Sequence, residues 1–348
     1  MLNPSPYVDD ILHQPEAVRN ALQSYPAGSL ARAAKILAAG QFDRIVITGM
    51  GASQMATIPA AEILSQTGLP VLWLDTADLL HYRMEQISPR TLLWVVSQSG
   101  YSIEIVRLLE AIDSRPPAYL LGTTNNMRSP LADASLVTLP LSAGDEFTVS
   151  TKTYLSTLAV TQLAALELMG QSLDAPLAEL RSAVDEVQAY LANLPLHVQE
   201  LKDNLGPRFT RSVLVGRGRS LAAVMNGSLI LKEAAKVIIE GLSVALFRHG
   251  PLELADENLT VLMLAGDRRT AEINRGLAQD VIRFGGQVYW IGDQPEETLA
   301  AFRLPQVGEL ALPLLEILPL QLMTIALGEL TGVQPGIFRN IGKVTQSE

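Results

Sequence analysis

The sequence predicts two similar α/β domains, each an α-β-α sandwich around a parallel sheet. Three observations carry this. Short apolar runs alternate with stretches of helical period. The runs are continuous rather than alternating, as strands covered on both faces must be. The second half also repeats the first. Val46-Ile47-Thr48-Gly49-Met50-Gly51-Ala52-Ser53 is echoed by Val213-Leu214-Val215-Gly216-Arg217-Gly218-Arg219-Ser220, at an offset of 167. The runs starting at Thr91 and Thr260, and at Ala118 and Val288, are offset by 169 and 170. So constant a spacing marks two copies of one domain-sized unit.

In order, residues 8–38 read as two helices broken at Tyr25-Pro26-Ala27-Gly28. Residues 44–48 form a strand, and Gly49-Met50-Gly51-Ala52-Ser53 opens a helix running through Ser65. Residues 71–74 are a strand, and Asp75 starts the next helix. The central run is 92–96, followed at once by Ser97-Gln98-Ser99-Gly100-Tyr101-Ser102 and then by Ile103, Val106 and Leu109 at helical spacing. Strands follow at 118–121 and 136–139, with Thr123-Thr124-Asn125-Asn126 as a polar loop between them. Ser150-Thr151-Lys152-Thr153 leads into a long helix to 168, and 177–191 are helical. Residues 193–208, with Pro195, Gly206 and Pro207, mark the expected boundary between a domain at 1–193 and one at 207–348. Residues 310–330 are apolar, but Pro313, Glu316, Pro319, Gln321 and Glu329 interrupt them. A membrane span needs about 20 mostly apolar residues with few charges, so the stretch reads as strand, turn and buried helix.

Composition narrows the function classes. Of the 348 residues, 48% are hydrophobic and 18% charged, enough for two full cores. A net charge of −10 without a basic run argues against nucleic acid and against an anionic membrane surface. No cysteine is present, which removes disulfides, thiolate metal sites and a Cys nucleophile. His13, His81, His197 and His249 show no metal-ligand spacing. Residues 1–10 lack a signal-peptide pattern, so a cytoplasmic protein is expected.

The turn at 97–102 is where the chemistry concentrates. A helix N-terminus offers unpaired N–H groups and a partial positive charge. Serine hydroxyls beside it make a phosphate site without Lys or Arg. The alternative is a loop whose serines only cap the helix. The second copy has Gly266-Asp267-Arg268-Arg269 there, so a hydroxyl-type anion site is expected once per chain. Glu233 follows an apolar run inside a helix. It is either a half-buried carboxylate with a raised pKa, able to act as a base, or a solvated Glu beside Lys232. His249, in Phe247-Arg248-His249-Gly250-Pro251, can exchange a proton near neutrality or be a plain exposed loop residue.

These motifs together resemble the sugar isomerase (SIS) superfamily. The tandem repeat, Ser97-Gln98-Ser99-Gly100, Ser150-Thr151-Lys152, Leu231-Lys232-Glu233, His249-Gly250-Pro251 and Arg339-Asn340-Ile341-Gly342-Lys343 carry the likeness. It is nearest to the isomerase half of glucosamine-fructose-6-phosphate aminotransferase and to aminosugar-phosphate deaminases. The resemblance implies that Ser53, Ser97, Gln98, Ser99 and Ser102 hold a sugar phosphate, with Gly51, Ser150 and Lys152 against the substrate. It makes Glu233 the proton-abstracting base. It assigns ring opening to His249, delivered from a neighbouring subunit of a homodimer. It makes Lys343 the contact to the open-chain carbonyl. No metal or organic cofactor is implied. The implied activity is ketose–aldose isomerisation coupled to deamination; the alternatives are another phosphosugar isomerase or deglycase, or a non-catalytic phosphosugar sensor.

The chain departs from that pattern. Tyr101 stands where the family has an acid. Asn226 and Ile230 replace a Glu and a Lys at i and i+4 of the helix face carrying Glu233. Losing both charges together suggests a deleted ion pair. These 348 residues hold no glutaminase domain or Cys nucleophile, so by themselves they are not expected to take ammonia from glutamine.

Overall fold

Strands β1 (Arg44–Gly49), β2 (Val71–Asp75), β3 (Thr91–Val96), β4 (Tyr119–Thr124) and β5 (Val137–Pro140) pair in the order β2-β1-β3-β4-β5, every pair parallel. This is a computed structural model, describing residues 5–205, 209, 211–293 and 300–345. A second parallel sheet orders β6 (Arg211–Gly216), β7 (Glu240–Ser243), β8 (Leu259–Leu264), β9 (Gln287–Gly292) and β10 (Ala300–Arg303) as β10-β9-β8-β6-β7. Matching β1 to β6 and β3 to β8 makes the two orders the same, so the sequence repeat is one topology used twice. Every residue of β3 and β8 is buried, as continuous apolar runs require. Strands β7 and β10 are four residues each, with one buried residue between them, so neither carries a continuous buried run by which to be found.

The chain divides into two compact units. The first-sheet unit comprises His13–Glu146, Ser150–Arg181 and Asn340–Glu348; the second-sheet unit comprises Met1–Leu12, Phe147–Val149 and Ser182–Arg339. The carboxy-terminal tail therefore joins the first sheet.

In the first-sheet unit, α9 (Lys152–Leu168) is buried along its whole length, and α2 (Gln14–Ser24), α3 (Ala31–Ala38) and α5 (Ile58–Ser65) pack on it. On the other side, Ile105, Leu108, Leu109 and Ile112 of α7 (Ile103–Ile112) close a core with Val46, Leu93 and Val95. The helix expected from 51 to 65 is two, α4 (Gly51–Met55) and α5, because Pro59 lies in the first turn of α5 and can donate no N–H backward. Thr123 and Thr124 are not loop residues but the buried end of β4. Their hydroxyls are satisfied inside: Trp94 Nε1 donates to Thr123 at 2.9 Å, and Thr124 donates to the Gln98 carbonyl at 3.2 Å.

The first predicted helix is also two. Helix α1 (Pro6–Leu12) belongs to the second-sheet unit and α2 to the first, with the break at His13 and Pro15 opening α2. In the second-sheet unit, the Tyr7 hydroxyl of α1 bonds the Thr324 hydroxyl at 2.9 Å. Residues 194–205 form helix α11 (Leu194–Leu205), which Pro195 begins and Val198, Leu201 and Leu205 bury. Gly206, Pro207 and Arg208, which the sequence reading placed at the boundary, lie outside the described residues. Residues 310–330 hold no strand: α15 (Leu312–Thr331) is one helix with Pro319 inside it. It is long and apolar enough to cross a bilayer. Residues 313–328 are all buried here against α11 and α12 (Leu221–Ala235), so it is apolar all round because it is the core helix of its unit.

Candidate functional site

In a doubly wound sheet, ligands bind beyond the carboxyl ends of the strands where the order reverses. In the first-sheet unit that point is between β1 and β3, and both expected turns leave from it: residues 50–53 after β1, residues 97–102 after β3. A hydrogen bond ties them, Gln98 N–H to Ser53 Oγ at 3.2 Å. Within the second turn, Gly100 N–H donates to Ser97 Oγ and Tyr101 N–H to Ser99 Oγ, each at 3.1 Å. Gly100 is required: its φ is +67°, and a Cβ would meet Ser129 Oγ at 2.2 Å.

None of these serines caps α7 with its side chain. Ser102 is the N-cap residue, yet its hydroxyl makes no cap bond. The oxygens of Ser53, Ser97 and Ser99 accept backbone N–H groups, and no described acceptor takes their hydroxyl protons. A hydroxyl that accepts still has one proton to donate. Four hydroxyl donors are thus uncommitted, among the described residues, around the N-terminus of α7. Part of that terminus is already occupied, since Ile103 N–H donates to the Thr345 carbonyl of the tail at 3.2 Å. Tyr101 is exposed at the rim, its hydroxyl donating to the Arg128 carbonyl at 2.9 Å.

The tail also places Lys343 in this unit. Its Nζ lies 2.9 Å from Oε2 of Glu146, a residue that sequence reasoning overlooked. Gly51, with φ of +52°, begins α4. Ser150 precedes α9, and Lys152 is its first residue, only 8% exposed rather than a solvated first-turn lysine.

The other two candidates stand in the second-sheet unit. Glu233 is half-buried near the end of α12. Lys236, in the left-handed region at the end of that helix, donates to the Glu233 carbonyl and, at 2.8 Å, to the Ile337 carbonyl. Burial and the charge of Arg339 hold Lys236 below the usual lysine range, against the pull of Glu233. Asn226 and Ile230 are fully buried, and neither end of the Asn226 amide has a hydrogen-bond partner among the described residues. His249 closes α13 (Val244–Arg248) and is exposed, followed by Gly250 and a turn starting at Pro251. Among the described residues no group of three or more His, Asp or Glu side chains could hold a metal.

Two parallel sheets of one topology, each with its own switch point, define a tandem doubly wound α/β protein. The chain belongs to the SIS domain family, whose model matches residues 41–167 and 210–327, one copy on each sheet. The glutamine–fructose-6-phosphate aminotransferase [isomerizing] of Pyrococcus horikoshii is 28% identical over 345 residues, covering 96% of this chain and 56% of that protein. The chain thus spans about half the length of the curated relatives it matches. Among solved structures, the C-terminal domain of glucosamine-fructose-6-phosphate aminotransferase from Francisella tularensis superposes with a TM-score of 0.82 at 20% identity, over 97% of this chain and 99% of that one. Glucosamine-6-phosphate deaminase from Thermotoga maritima gives 0.77 at 15% identity, over 98% and 99%.

Proposed function

We propose that this chain is an enzyme acting on a phosphorylated aminosugar, coupling ketose–aldose isomerisation to the loss of ammonia or an amine. The uncommitted hydroxyls of Ser53, Ser97, Ser99 and Ser102 carry the reading. They suit an anion that must be recognised inside a chain of net negative charge. The phosphate sits there, with Gln98 beside it and Gly51, Ser150 and Lys152 against the sugar. Lys343 meets the open-chain carbonyl. His249, from the neighbouring subunit of a homodimer, opens the ring. Glu233 then takes the C2 proton of the open-chain aminoaldose, giving an enamine. It returns the proton to C1, leaving an imine at C2. Water adds there and ammonia departs, so a ketose phosphate is formed. The similarity to an aminotransferase and a deaminase that act on hexose phosphates supports this substrate class.

The buried, uncharged pair Asn226 and Ile230 favours a second reading. An uncharged helix face behind Glu233 suits an altered substrate, or a phosphosugar sensor that has given up turnover. One experiment separates them. Hexose and hexosamine 6-phosphates are screened for ammonia release, isomerised product and exchange of the C2 proton with deuterated water. Glu233→Gln should bind substrate within a few-fold of the wild type and turn it over about 100-fold more slowly. A wild type that binds a phosphosugar but shows neither turnover nor exchange on any of them is a sensor.

A further inference from the structure

The hydroxyl turn at 97–102 has a second wall, the loop that leaves β4. The Gln98 carbonyl accepts the Asn125 N–H at 3.0 Å as well as the Thr124 hydroxyl. The Tyr101 hydroxyl reaches across to the Arg128 carbonyl. Gly100 lies so close to Ser129 that a Cβ would clash with it. The loop is also fixed within itself. Asn126 N–H donates to the Thr124 hydroxyl at 3.2 Å, and Asn126 Oδ1 accepts the Arg128 N–H at 3.0 Å in an Asx turn. Ser129 is fully buried, and its hydroxyl caps α8 (Pro130–Ala134) by accepting the Ala132 N–H at 3.3 Å.

The backbone of Arg128 is thus pinned on both sides and against the turn. Its side chain is exposed, and the guanidinium has no hydrogen-bond or charge partner among the described residues. An exposed arginine is ordinary by itself. This one stands across from the turn at a distance that one tyrosine side chain bridges, and an arginine side chain reaches as far. Tyr101, where the chain departs from the family pattern, brings no carboxylate to neutralise it.

The turn lacks such a charge of its own. Hydroxyls and a helix N-terminus offer hydrogen bonds and a partial charge of about one half. A phosphate monoester carries about −1.5 to −2 near neutrality, and the chain around it has a net charge of −10. A guanidinium pairs phosphate oxygens bidentately and keeps its proton at every working pH. We propose that Arg128 is a further phosphate-binding residue that closes the rim over the sugar phosphate, and that Tyr101 is the positioning residue that holds it there. This role rests on the phosphate reading of the turn and adds to it the full positive charge that a dianion calls for.

Full-length chain is titrated by calorimetry with the hexose or hexosamine 6-phosphate that the wild type binds most tightly, at low and at high ionic strength. Arg128→Gln should weaken binding about tenfold at low salt and flatten its dependence on salt, because a full charge has left an exposed site. Tyr101→Phe keeps the ring but releases the Arg128 carbonyl. It should weaken binding about threefold in the wild-type background and leave that of Arg128→Gln unchanged. Circular dichroism checks that each variant is folded. Arg128 is overturned as a phosphate residue if Arg128→Gln binds like the wild type or keeps its salt dependence. Tyr101 is overturned as its positioning residue if Tyr101→Phe has no effect on the wild type or acts equally in both backgrounds. Ser97→Ala with Ser99→Ala tells the two levels apart. If that pair weakens binding and Arg128→Gln does not, the turn stands as the phosphate site and Arg128 has no part in it. A wild type that binds no hexose or hexosamine 6-phosphate takes the phosphate away from the turn, and from Arg128 with it.

Discussion

Lys343 Nζ is held 2.9 Å from Oε2 of Glu146, a carboxylate whose side chain is wholly buried. Glu146 also accepts the backbone N–H groups of Thr151 and Thr153 at 2.8 and 3.0 Å and their hydroxyls at 3.2 and 2.7 Å. A negative charge at the N-terminus of α9 is favourable in itself. The tail lysine is thus anchored by a group that the start of α9 has already fixed.

Glu146→Gln should therefore loosen the tail as well as lower stability. A glutamine amide cannot accept at both ends, so it strands a threonine donor and faces Lys343 with an N–H₂. An unsatisfied buried group costs about 1–3 kcal/mol. Thermal denaturation reads the loss, and limited proteolysis at the tail reads the release. A variant with wild-type melting and an equally protected tail would contradict the anchoring role.

The hydroxyls at the first switch point can be tested directly. Hydrogen bonds to charged groups are worth about 1.5–3 kcal/mol each. Ser97→Ala with Ser99→Ala should then cost at least tenfold in sugar-phosphate affinity while the circular dichroism spectrum stays native. Calorimetry showing unchanged affinity in the folded variant would move the phosphate elsewhere.

Glu316 should leave a mark on stability against pH. Its carboxyl is pushed up to about 8 by burial, and the nearby Asp267 charge adds to this; hydrogen bonds from Ser220 and the Gly266 backbone only partly offset it. The unfolded chain releases that proton near 4.5. Between these values the folded state holds a proton that the unfolded state does not, so stability falls as pH rises through the window. Glu316→Gln keeps the neutral shape and should flatten this part of the slope, seen as a smaller difference in melting temperature between pH 5.5 and 8 than in the wild type. Equal slopes would show that Glu316 does not titrate there.

Assembly bears on His249, which the proposed mechanism takes from a neighbour. Leu246 and Ile238 are 61% and 88% exposed in the same unit. Light scattering after gel filtration should give twice the 37.6 kDa of one chain. A stable and active monomer would rule out a shared site.

Local pattern carried much of this protein. The continuous apolar runs at 44–48 and 92–96 required strands covered on both faces, whereas that at 71–74 is a half-buried edge strand; the repetition of the runs starting at Val46, Thr91 and Ala118 at a nearly constant offset required two sheets of one topology. The serines after β3 were legible as well, because a turn between a buried strand and a helix always ends in unpaired N–H groups. Glu146 was not legible, since its five donors come partly from a tail almost 200 positions away. Nor was the continuity of α15, where Pro319 argues locally for a break and only burial against α11 and α12 holds the helix together. The division of the chain was decided in three dimensions too: α1 leaves the helix that follows it, and the tail joins the first sheet. Periodicity reports which face of a segment is apolar, but only packing decides which distant segment covers that face.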